Sequence, residues 1–146
     1  MSDDGFAITN LLYRYAELID AGDFAGVSDL FAHADVTVGG QVLRGAEPML
    51  ALWNAHTKLH ADGTPRTKHV VTNPIVEIAE DRRTASARSY YTVLQATEIV
   101  PLQVIAAGRY HDTFEKVDGR WRFATRDYSL LDLLGDVRDH LLIDPR

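Results

Sequence analysis

Two hydrophobic periods divide the chain. Phe6, Leu12, Tyr13, Ala16, Leu18 and Ile19 stand in i+3, i+4 and i+7 relations, which predicts a first helix that stops at Gly22. A short second helix is predicted from Asp23 to Ala32, capped by Asp23, with Phe24, Val27, Leu30 and Phe31 inward. The segment DVTVGGQVL at 35–43 reads as a hairpin centred on Gly39–Gly40. Helical spacing returns from Glu47 to His60 through Met49, Leu50, Trp53 and Leu59, and ADGTP at 61–65 reads as a loop.

From Thr67 the period becomes two. Strands are predicted at Thr67–Asn73, Ile75–Ala79, Ala85–Thr97, Gln103–Phe114 and Trp121–Tyr128. Pro74 marks a bulge or corner between the first two, and Asp118–Gly119 is a hairpin turn. The leucine-rich tail, Ser129 to Leu142, reads either as a terminal helix containing Gly135 or as an irregular cover. Helices first and long antiparallel strands afterwards imply an α+β fold. A strongly curved sheet wrapped around the N-terminal helices, bent at Ala106, Ala107 and Gly108, would enclose a pocket.

Composition narrows the chemistry. The 146 residues fit one domain, 1–146, and 46% hydrophobic with 25% charged residues is ordinary globular content. Without cysteine, no disulfide, thiolate metal site or cysteine nucleophile is available. A net charge of −6 disfavours nucleic acid as partner. No apolar run is long enough to span a bilayer, and the acidic start does not read as a signal peptide, so a cytoplasmic location is expected.

The segments LLYRYAELIDAGDF, TKHVVTN and GRYHDTFEKVDGRWRF together resemble a SnoaL-like protein of the nuclear transport factor 2-like superfamily, over about residues 5–130. The resemblance implies a cone-shaped sheet around the N-terminal helices. It also implies a catalytic pair of the scytalone dehydratase and dehydrochlorinase type, an Asp ending the first helix and a His on the strand after the third. Those positions hold Asp20 and His69. Other parts of the dehydratase pattern are replaced: its Tyr before the Asp is Ile19, its second His falls near Leu94, and its strand Asn and Ser fall at Tyr110 and Gly108.

In such a pair the carboxylate fixes the imidazole tautomer, and the free ring nitrogen takes a proton from substrate. Thr67, His69, Val71 and Asn73 share a strand face, so Thr67 or Asn73 would be the polar neighbour of His69. Tyr13, Tyr15 and Tyr110 are candidate hydrogen-bond donors to substrate, against simple core packing for each. Trp53 is a further candidate pocket residue, although core packing is its simplest reading. Of Tyr90 and Tyr91 one faces inward and the other outward. His111 is expected outside, and Arg126–Asp127 as an ion pair. His56 and His60, four apart, lack the Glu of a zinc-binding HExxH and a third ligand, so no metal is expected, and no organic cofactor.

These readings lead to a cofactor-independent lyase or isomerase acting on a small, largely apolar, cyclic or polyketide-like molecule. The alternative is a non-catalytic binding or oligomerisation module of the same fold. Epoxide hydrolysis of the limonene type, a third reading, needs an Asp–Arg–Asp set facing the pocket, which the sequence does not place. The resemblance further implies a homodimer formed through the outer sheet face.

Overall fold

The computed structural model describes residues 3–145. Helix α1 (Asp4–Asp20) buries Ile8, Leu12, Tyr15, Ala16, Leu18 and Ile19. Phe6 and Tyr13, expected inward, face solvent, because Ile8 and Tyr15 set the buried stripe one turn-register away. The helix ends on Gly22 at φ 76°, with Gly22 N bonded to Ile19 O and Asp23 N to Leu18 O. This closure needs the left-handed region that glycine enters freely. Helix α2 (Phe24–Leu30) follows at once, its cap Asp23 accepting a bond from Gly26 N at 2.9 Å.

Strands β1 (Asp35–Val38) and β2 (Gln41–Arg44) form the glycine-centred hairpin. Helix α3 is Ala46–His56 and stops four residues earlier than its spacing predicts, because Thr57 turns extended and bridges to Leu141. His60 therefore does not share a helical face with His56.

The long strands are β3 (Thr67–Ile78), β4 (Thr84–Gln95), β5 (Gln103–Val117) and β6 (Arg120–Asp127). The two runs flanking Pro74 are one strand, with a register shift between Thr72 and Ile75 and Asn73 at φ 43°. The β5–β6 hairpin turns on Asp118 and Gly119, both at positive φ, as an Asp-Gly turn requires. The sheet order is β2-β1-β6-β5-β4-β3. It is unclosed and mixed rather than purely antiparallel, since β1 runs parallel to β6.

The tail is not a helix. Leu131–Leu134 forms β7 against β5, and residues 135–145 continue as an irregular strap, the second of the two expected forms. Leu142 N bonds His56 O, Lys58 N bonds His140 O, and the Asp139 carboxylate pairs with Lys58. The buried Gln95 amide donates to Asp139 O at 3.0 Å, holding the strap from below. Gly108 lies where β7 joins β5. A Cβ there would collide with the Leu130 carbonyl and stand 2.7 Å from the Tyr91 hydroxyl.

The main core fills the space between the helices and the concave sheet face. Ile8, Leu12, Val27, Phe31, Val36, Met49, Phe114 and Phe123 are wholly or almost wholly buried in it. Within this core Arg126 is fully buried and bidentate to Asp112, at 2.7 and 3.0 Å. The expected Arg126–Asp127 pair does not form. A register shift in β6 between Phe123 and Thr125 reverses the side-chain phase and turns Arg126 inward.

Candidate active site

Asp20 closes α1, and its carboxylate meets the first residues of β3. Oδ1 accepts from His69 Nδ1 at 2.7 Å and from Thr67 Oγ1 at 2.8 Å, while Oδ2 accepts from the His69 backbone N–H at 2.7 Å. The side chains of His69 and Asp20 are only 7% and 10% exposed. Burial pushes the Asp20 carboxyl up, but the bonds from His69 and Thr67 outweigh it and hold the group below its ordinary value. An ionised Asp20 accepts only, so Nδ1 of His69 carries a proton, and in the neutral ring the lone pair is on Nε2.

His69 lines a cavity of about 230 Å³ walled mostly by apolar side chains. Leu52, Trp53 and His56 of α3 form one side, and Tyr91, Val93, Ala106 and Tyr110 of the sheet form another. The strap contributes Val137, His140 and Leu141.

Aromatic rings stiffen the floor. Tyr15 lies edge-on to His69 and Tyr110, with centroids 6.1 and 5.7 Å apart, and Tyr91 stacks on Tyr110 at 4.4 Å. The Arg126 guanidinium sits 3.9 Å from the Tyr110 ring centroid and 4.3 Å from that of Tyr15. Burial raises the Tyr15, Tyr110 and Tyr128 phenols well above their ordinary value, so all three remain protonated donors at neutral pH.

The candidate residues separate clearly. His69, Tyr15, Tyr110 and Trp53 line one cavity, with Asp20 bonded to His69 behind it. Tyr13 and Asn73 do not: Tyr13 is on the outer side of α1, and Asn73 is exposed at the bulge. Thr67, not Asn73, is the polar neighbour of the pair. Tyr91 faces in and Tyr90 out, and His111 is exposed. Tyr128 and His140 line the cavity without having been singled out in sequence, and so does His56, which was weighed there only as a metal ligand. Tyr128 continues a legible strand, but His140 sits in a strap with no period to read. Arg126 is absent from the cavity wall, and its partner is Asp112 rather than Asp20, so no Asp–Arg–Asp set faces the cavity among the described residues. No group of three or more metal-ligating side chains occurs among the described residues.

Comparison with known proteins agrees with this architecture. None of the curated proteins matches the chain. A protein of unknown function from Mycobacterium tuberculosis is 27% identical, with a TM-score of 0.69 over 88% of this chain and 72% of its own. A candidate scytalone dehydratase from Novosphingobium aromaticivorans is 21% identical, with a TM-score of 0.70 over 93% of this chain and 91% of its own. ActVI-ORFA from Streptomyces coelicolor is 15% identical, with a TM-score of 0.69 over 88% of this chain and 98% of its own. These likenesses carry the fold. The SnoaL-like domain model matches residues 2–127, nearly the whole chain, and the protein therefore belongs to the SnoaL-like family.

Proposed function

We propose that this protein is a cofactor-independent lyase or isomerase that works by imidazole base catalysis on a small, largely apolar, cyclic molecule. The supporting observation is the Asp20–His69 bond in the wall of an apolar cavity, with Nε2 of His69 left as the acceptor. His69 Nε2 takes a proton from an acidified substrate carbon, and Asp20 orients the ring and stabilises the imidazolium. In an elimination the C–H electron pair becomes the new double bond, and the leaving group departs with its own bonding pair. In an isomerisation the imidazolium returns the proton at another carbon. Tyr15 and Tyr110, both neutral phenols lining the same cavity, would donate to a developing oxyanion. A cavity of about 230 Å³ lies below the usual range for drug-sized ligands and suits one or two rings.

Native mass spectrometry of freshly purified protein identifies a co-purified ligand, and turnover of that ligand tests the mechanism. His69→Ala and Asp20→Asn are each expected to lose activity, by roughly 10²–10⁴-fold for the base, with the fold intact. Full turnover in both variants would falsify the mechanism. A ligand that leaves chemically unchanged favours the non-catalytic binding module.

A homodimer through the outer sheet face accompanies this reading. Val70, Tyr90, Val104 and Leu133 stand exposed on neighbouring strands of that face, an apolar surface suited to a second copy.

A further inference from the structure

Two buried polar atoms on side chains that line the cavity have no hydrogen-bond partner among the described residues: Trp53 Nε1 and His140 Nδ1. They come from distant parts of the chain, Trp53 from α3 and His140 from the C-terminal strap. Both side chains line the cavity that His69 lines, and the His69 and His140 ring centroids are 6.5 Å apart. A buried donor or acceptor left unmade is costly, so such atoms beside a cavity mark where a ligand's polar group belongs.

We propose that Trp53 Nε1 and His140 Nδ1 bind an oxygen function of the substrate, a hydroxyl or carbonyl, in the cavity that His69 lines. This inference rests on the lyase or isomerase reading for what His69 does, and it names the substrate class, an apolar ring system bearing oxygen at one end. The indole N–H can only donate, so the partner must accept. A hydroxyl accepts from the indole and donates to the imidazole. A carbonyl accepts from the indole and, from the other imidazole tautomer, takes a second bond.

The strap is built to hold this imidazole still. Residues on both sides of His140 are fixed by the Lys58–Asp139 ion pair, the Gln95 bond to Asp139 O and the Leu142–His56 backbone bond. Burial first, and repulsion from His69 whenever that ring is protonated, push the His140 pKa down to about 4, so its ring is neutral at physiological pH and free to accept or donate.

The test uses two bicyclic probes of one shape, 2-naphthol and naphthalene, with dissociation constants read from naphthyl fluorescence. The wild type is expected to prefer 2-naphthol by roughly tenfold, the size of one or two buried hydrogen bonds. Trp53→Phe and His140→Phe should each bring that ratio toward one, and His140→Gln, which keeps a polar end, should retain most of it. If a variant fails to fold, the Trp53 indole N–H resonance of the wild type serves instead, moving downfield with 2-naphthol and not with naphthalene. Equal binding of the two probes, or binding of neither, overturns the proposal. A preference lost only in His69→Ala also overturns it, placing the oxygen at the base, while leaving the lyase or isomerase reading intact. Loss of that reading through absent turnover leaves the probe preference standing by itself.

Discussion

Asp20 uses both carboxylate oxygens within β3, one on the His69 ring and Thr67, the other on the His69 backbone. That arrangement fixes the ring in position as well as in tautomer. The sign of its acid response follows. A carboxyl lowered by folding contributes stability above its ordinary value of 3.8 and loses it as pH falls through the lower folded value. His140 acts in a higher window. The unfolded chain takes up a proton below about 6.5, whereas the folded ring resists until about 4, so stability declines between those values. The full effect is about 3 kcal/mol. His140→Gln should flatten the decline between pH 6.5 and 4 in urea titrations, and an unchanged slope would contradict this account. At this scale Asp20 and His69 were legible because family resemblance marks them and strand alternation puts Thr67 on the same face as His69. His140 was not, because its position depends on backbone pairing between the tail and residues 56–58, across more than eighty positions.

Elements were legible wherever a turn residue had no alternative. Gly22, Gly39–Gly40 and Asp118–Gly119 all adopt positive φ, and each ends an element near where the sequence predicts. The bulges were less readable. Pro74 announces one, but the shift in β6 between Phe123 and Thr125 carries no proline or glycine, and it alone puts Arg126 inside. Two substitutions probe these junctions. Asp23→Ala removes the bond to Gly26 N and should cost about 1 kcal/mol in chemical denaturation. Gly108→Ala adds a Cβ against the Leu130 carbonyl and the Tyr91 hydroxyl, and should destabilise by about 1–3 kcal/mol through displaced β7. A wild-type midpoint for Gly108→Ala would show that β7 is not held at this close approach.

For the whole molecule, a curved sheet and helices were readable from the change of period, while the cavity depends on the strap that completes its wall. The buried Arg126–Asp112 pair joins β5 to β6 beneath that cavity, ringed by Tyr15, Phe31, Tyr110, Phe123 and Tyr128. Arg126→Met leaves Asp112 buried and unpaired and should cost about 3–5 kcal/mol, with Asp112→Ala in the same chain restoring part of it. If the outer face carries a dimer, Val104→Glu should yield monomers in sedimentation while leaving the cavity unaltered. In the proposed mechanism His69, held by Asp20, removes protons from molecules inside the cavity. Opening of 5-nitrobenzisoxazole measures this directly: a base takes the ring C–H proton, the N–O bond breaks, and a coloured cyanophenolate is released. The wild type should accelerate the reaction, and His69→Ala should fall to the rate of imidazole-free buffer. Equal rates for the two proteins would contradict it.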